Sequence, residues 1–369
     1  MESATYDRLT DTLMTIGGAV PVLPCEEFTL LIRELFTPAE AELAAAMPPG
    51  VVSGRAVADH VGRPLAAVLP LLESMADKGI AFHQKRKGES CYKLMAVLPG
   101  FFEFQFMKGG TTERDKKLAR LFEDYFQRLW GEAGSVDLSL LKKLTPFSRV
   151  IPVEKEIPPG TTIQPYEKVS EYIRSAEHIS VSTCYCRHHG ELLGRGCSKP
   201  KENCMAFGPN AQYAAERGFG RLVTPEEALR ILDEAERAGL VHCCSNTSKY
   251  IDFICNCCPC HCGIVQSLLH TDRPSLAAVS TFRLKIDEDA CTACETCTEA
   301  CPMKALRVEN EMVRVDRQRC IGCGLCNVAC PVGALSMEPI PQAPVPPRDH
   351  RELTASILSS LGEAMGAKG

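Results

Sequence analysis

The chain has 369 residues, 45% apolar and 24% charged, with a formal net charge of −5 at pH 7. That length allows two or three domains, each with its own core, and the mild acidity gives no electrostatic pull toward nucleic acid or an anionic membrane. No run of about 18 apolar residues occurs, so no membrane span is expected. The opening Met1-Glu2-Ser3-Ala4-Thr5 has no basic run before an apolar stretch, and a cytoplasmic location is the expectation.

Residues 1–108 read as mostly helical with one hairpin. Thr37-Pro38-Ala39-Glu40 carries a capping box with proline at the first helical position. A short helix over 55–60 follows, then one over 64–78 ended by Gly79, with Leu65, Val68, Leu69, Leu72 and Met75 on one face and an interruption at Pro70. Ile80-Ala81-Phe82-His83, a basic tip Lys85-Arg86-Lys87 and Cys91-Tyr92-Lys93-Leu94 form the hairpin. Helix, helix, turn, helix and hairpin in that order resemble a winged helix-turn-helix domain. Ten Lys and Arg against thirteen Asp and Glu give this segment a net −3, and the second helix bears Glu73 and Asp77. A protein-docking role is therefore expected over DNA reading.

Residues 109–150 are read as a linking helix that carries Trp130. Residues 151–283 form a cysteine-rich α/β segment, with a strand at Ile179-Ser180-Val181-Ser182-Thr183 and a helix capped at Thr224-Pro225-Glu226-Glu227. Residues 284–338 contain an internal repeat, each half an extended segment, a cysteine run and a short strand. Residues 339–369 hold a proline-rich linker and a last helix with Leu353, Ile357, Leu358, Leu361 and Met365 on one stripe, read as a strap on the protein's own surface. The fold class expected is α+β and multidomain.

Twenty-one cysteines dominate the chemistry. Eight fall in two copies of one spacing: Cys291-x2-Cys294-x2-Cys297-x3-Cys301-Pro302 and Cys320-x2-Cys323-x2-Cys326-x3-Cys330-Pro331. Three cysteines at two-residue gaps let one tight loop hold three corners of an iron–sulfur cubane. This segment resembles the bacterial dicluster ferredoxins, built as a βαβ repeat. The resemblance implies two [4Fe–4S] clusters, one on Cys291, Cys294, Cys297 and Cys330, the other on Cys320, Cys323, Cys326 and Cys301. Zinc is the alternative for Cys-x2-Cys hooks, but doubled three-cysteine runs with trailing Cys-Pro fit cubanes. Gly322 and Gly324 allow close backbone approach to one cluster, where the other has Ala293 and Glu295.

Eleven further cysteines lie between residues 184 and 262. Cys184, Cys186, Cys197 and Cys204 make a first set, with His188 and His189 read as solvated neighbours. Cys243, Cys244, Cys255, Cys257, Cys258, Cys260 and Cys262 make a second, in which Cys255-x2-Cys258 and Cys257-x2-Cys260 are alternative hooks. One or two more iron–sulfur clusters or zinc ions are expected here, with ligand sets open. The region loosely resembles cysteine-rich electron-transfer proteins of anaerobic bacteria. Cys25 and Cys91 read as buried packing residues.

Neither a Gly-x-Gly-x-x-Gly nor a phosphate-loop motif supports nucleotide or flavin binding. The expected function is a non-catalytic electron carrier, or an electron-transfer subunit, that serves a partner oxidoreductase or ferredoxin-type donor. A redox-sensing DNA-binding regulator and an enzyme with a substrate-facing middle cluster are the alternatives. Oligomeric state, donor and acceptor are not legible.

Overall fold

The computed structural model describes residues 2–18, 21–133, 145–159, 161, 167–270, 274 and 278–366. The chain opens with helices α1 (Glu2–Ile16), α2 (Glu26–Leu35) and α3 (Pro38–Ala45), strand β1 (Val52–Ser53), helices α4 (Gly54–Val61) and α5 (Leu65–Asp77), and strands β2 (Ala81–Arg86) and β3 (Glu89–Leu94). Helices α6 (Phe102–Met107) and α7 (Glu113–Ala133) follow. Then come β4 (Ser148–Ile151), α8 (Val169–Ser175), β5 (Ile179–Thr183), α9 (Tyr185–Leu192), β6 (Glu202–Phe207), α10 (Pro209–Glu216), β7 (Arg221–Leu222), α11 (Pro225–Arg237), β8 (Val241–Ser245), β9 (Phe253–Cys257) and α12 (Gly263–Leu269). The last elements are β10 (Phe282–Ile286), α13 (Thr296–Ala300), β11 (Leu306–Glu309), β12 (Met312–Val315), α14 (Leu325–Val328), β13 (Leu335–Pro339) and α15 (His350–Gly366). The class is α+β.

Two compact units result, and the chain alternates between them: one takes 1–136, 182–196 and 209–221, the other 137–181, 197–208 and 222–369. In the first unit, Thr37 accepts the Glu40 N–H while the Glu40 carboxylate accepts the Thr37 N–H, the expected capping box. Helix α5 runs on through Pro70, which lies on its exposed side and does not end it. Of the expected stripe, Val68, Leu72 and Met75 are buried, whereas Leu69 is exposed. Strands β1, β3 and β2 form a small antiparallel sheet.

Helices α9 and α10 complete this unit. His188 is not solvated: its Nε2 meets the Gly110 carbonyl at 2.8 Å, and His189 Nε2 meets that of Ala119 at 3.0 Å. Both rings are buried because they anchor α9 against the chain around α7. The Tyr213 hydroxyl on α10 donates to the Ala76 carbonyl at 2.9 Å. Arg217 pairs with Glu73 at 2.8 Å and Asp77 at 2.6 Å, so one guanidinium from within the unit engages both carboxylates of α5.

The second unit is built on a six-stranded sheet in the order β4-β8-β9-β6-β5-β7. On one face Ile151, Met205, Cys244 and Ile254 pack with Ile173 of α8 and with Ala228 and Leu232 of α11. On the other, Val150, Cys243, Cys255 and Cys257 share a core with Val265 of α12 and with Ile321, Cys323 and Leu325. That second face therefore packs against the segment that carries the C-terminal cysteine runs. Helix α15 lies on its own unit as a strap: Leu353 is buried, and the Thr145 N–H donates to Ser360 Oγ at 3.0 Å. Leu358 is exposed, and the side chains of Leu361 and Met365, like that of Trp130, lie outside the described residues. No helix among the described residues is long and apolar enough to cross a membrane.

Candidate metal centres

Strand register sorts the middle cysteines. Side chains alternate between sheet faces, so Cys243 points with Cys255 and Cys257, and Cys244 points away. The antiparallel pairing sets Val150 opposite Cys243 and Cys243 opposite Cys255, and the Met205–Ile254 pair brings Cys204 level with Cys255. One row thus crosses four strands and contains three thiols. Cys255 accepts hydrogen bonds from Cys204 and Cys257, and Cys257 is in turn hydrogen-bonded to Cys243 and Cys262. Those bonds draw the Cys255 thiol down to about 7, while the neighbouring sulfurs of Cys243, Cys255 and Cys262, together with burial, push that of Cys257 up. Five buried sulfurs, Cys204, Cys243, Cys255, Cys257 and Cys262, are linked in one hydrogen-bonded group.

Neither Cys-x2-Cys hook describes this arrangement. Cys255 and Cys257 belong together by strand alternation, whereas Cys258 and Cys260 leave the sheet and meet Cys197 instead. The first sequence set is divided in space: Cys204 joins the buried group, Cys197 joins Cys258 and Cys260, and Cys184 and Cys186 belong to the other compact unit. Cys244 packs among apolar side chains, and burial pushes its thiol up to about 12 despite Arg149 opposite it. Cys91 is buried, and Cys25 is half-buried at the start of α2. Among the described residues no two cysteines are joined by a disulfide.

The C-terminal runs fold as a two-fold repeat. Strand β10 pairs with β13 and β11 with β12. Asp287 Oδ1 accepts the N–H groups of Asp289 and Ala290, and Asp316 Oδ1 accepts those of Gln318 and Arg319. Each aspartate so makes the turn that leads into its cysteine run. Ala293 and Glu295 in the first run take φ of +53° and +65°, and Gly322 and Gly324, their counterparts, take +65° and +81°. The loop shape demands left-handed backbone at both positions, and only the second run uses the residue that adopts it without strain. At Gly322 a Cβ would come 2.0 Å from the Phe282 carbonyl oxygen, so no larger residue fits there.

Each run encloses a hollow. One is lined by Cys320, Cys323, Cys326 and, from the other run, Cys301. The second is lined by Cys291, Cys294, Cys297 and, again from the other run, Cys330. Four sulfurs face each space, and the Ala305 N–H already donates to Cys301 Sγ at 3.3 Å, as a thiolate ligand requires. The donor sets fit two cubanes.

Residues 283–331 match the family model of a 4Fe-4S dicluster domain. No curated protein matches the chain, and no solved structure does. The matched segment spans both cysteine runs, and with the other cysteines it supports iron–sulfur electron transfer as the chemistry of this domain. Burial pushes the thiols of Cys301, Cys323 and Cys326 up, so in the metal-free chain they hold their protons and metal loading must release them.

Proposed function

We propose that this chain is a cytoplasmic electron carrier that passes single electrons through two [4Fe–4S] centres, and through a third centre on the middle sheet, to or from a partner oxidoreductase. Cys291, Cys294, Cys297 and Cys330 would hold the first, and Cys320, Cys323, Cys326 and Cys301 the second. The observation that carries this reading is the exchange of the fourth cysteine between the two hollows. A [4Fe–4S] cluster in each supplies reversible one-electron chemistry at low potential.

The third centre rests on the five sulfurs of Cys204, Cys243, Cys255, Cys257 and Cys262, of which four suffice for a cubane. Cys243, Cys255, Cys257 and Cys262 share one apolar core with Cys323, and Cys301 and Cys320 pack against it. That continuity makes the Cys320 hollow the neighbour of the middle site. Thiolates there need counter-charge or metal, because five buried sulfurs cannot all ionise at once.

The arrangement from α3 to β3 supports a winged-helix reading of the N-terminal segment, with docking as its role. Along α5 the exposed positions are Ala66, Ala67, Leu69, Pro70 and Asp77, and Glu73 and Asp77 are engaged by Arg217. Such a surface offers phosphate no cations and suits a protein partner.

Anaerobic purification with iron and sulfide counts, followed by potentiometric EPR titration, tests the proposal. About twelve irons per chain and three one-electron signals are expected. Fewer than about eight irons, or no signal from the ferredoxin pair, sinks it.

A further inference from the structure

Three thiols stand apart from the ferredoxin hollows and from the buried five. The Sγ atoms of Cys197, Cys258 and Cys260 all lie within 4.8 Å of one another. Cys258 is buried, Cys197 half-buried and Cys260 exposed. Cys258 packs beside Ala235 and Leu240, with Cys197 and Ala238 against it. The trio therefore sits at the C-terminal end of α11.

Spacing decides what such a trio holds. A single zinc ion with Zn–S bonds of about 2.3 Å sets its ligand sulfurs about 3.8 Å apart in a tetrahedron. A cubane places each thiolate on a different iron corner and so spreads its sulfurs farther. Three sulfurs within 4.8 Å match the single ion. The bite is made rigid by its own chain: Pro259 fixes the backbone between Cys258 and Cys260, and the Gln266 side-chain amide donates to the Pro259 carbonyl.

We propose that Cys197, Cys258 and Cys260 hold one structural zinc ion, separate from the iron–sulfur centres. Cys197 is the residue at which the chain re-enters the second unit. The ion ties that re-entry point to the turn that follows β9, and its binding free energy adds to the stability of the sheet between them. A fourth ligand, solvent or a side chain, completes the tetrahedron. This site does not depend on the electron-transfer reading.

The test uses the full chain, purified anaerobically, with metal counts on the wild type, Cys260→Ser and Cys197→Ser. Cys260 is chosen because it is exposed and its replacement leaves the core intact. About one tightly held zinc per chain is expected in the wild type, with a sulfur-dominated zinc absorption-edge spectrum. In both variants zinc should fall at least fivefold, with iron content and the ferredoxin EPR signals unchanged. Wild-type protein without zinc overturns the proposal, and so does a loss of about four irons in Cys260→Ser, which would make the trio part of a cluster. Absence of the EPR signals in the wild type would instead count against electron transfer and leave the zinc result standing.

Discussion

The Val153 N–H donates to the carbonyl oxygen of Cys323 at 3.1 Å. Through this one backbone bond the segment after β4 is laid on the loop of the second cysteine run. Gly324 makes the approach feasible: a Cβ there would lie 3.2 Å from the Val153 nitrogen, and its φ is +81°. Gly324→Ala is therefore expected to destabilise the second unit by about 1–2 kcal/mol through left-handed strain alone, with the close contact in addition. At the matching position Glu295→Gly relieves the same strain and leaves the protein at least as stable. Thermal unfolding of both holo-variants checks this, and equal melting temperatures for the two would refute it.

Glu295 also places a carboxylate next to Cys294 in the Cys291 run. Reduction adds negative charge to the centre held there, so the carboxylate disfavours it. Because Glu295 is exposed, solvent and salt weaken the effect. Glu295→Gln should raise the potential of the Cys291 centre by roughly 10–40 mV, the one-electron equivalent of an exposed charge interaction. The shift should shrink in high salt. A potentiometric EPR titration in which only the Cys320 centre moved would reverse the assignment.

Cys243 and Cys244 are adjacent in sequence and face opposite cores of one sheet. Cys243→Ser combined with Cys255→Ser leaves three of the five sulfurs and should remove about four irons if the middle site holds a cubane, with both ferredoxin signals retained. Cys244→Ala should keep all iron and lose only packing, roughly 1 kcal/mol for so small a side chain. Equal iron loss in the two variants would mean that the strand register does not sort the ligands.

What the sequence revealed and what it hid follow one division. The Thr37–Glu40 capping box, the strand Ile179–Thr183 and the doubled cysteine runs are local patterns, written within a few residues. The middle ligand groups are not local. Cys204 meets Cys255 only because β6 pairs with β9, and Cys197 meets Cys258 only because the chain returns from an excursion into the other unit. Loop-length spacing carries no trace of either event. The burial of His188 and His189 is hidden for the same reason, since it depends on carbonyls of Gly110 and Ala119 far away in the chain. Alternation did hold one usable signal: in His242-Cys243-Cys244 and Cys255-x-Cys257, a strand of period two already separates Cys244 from the rest.

Glu103, on α6 of the first unit, gives that unit a pH signature of its own. Its side chain is buried, and burial pushes its carboxyl up to about 8 even though Oε2 accepts the Gly100 N–H at 2.6 Å. In the unfolded chain the same group titrates near 4.5. Between these values the folded state binds the extra proton, so stability falls as pH rises through the window and levels off above about 8. The full effect is on the order of a few kcal/mol. Glu103→Gln keeps the carbonyl oxygen that accepts from Gly100 and cannot ionise, so its unfolding should lose this slope. Chemical unfolding of the full holo-chain and the variant, compared at pH 5 and pH 8, isolates the term, because every other titrating group is common to both. The wild type should lose stability relative to the variant on going to pH 8; a constant difference between them would show that Glu103 is ionised in the fold.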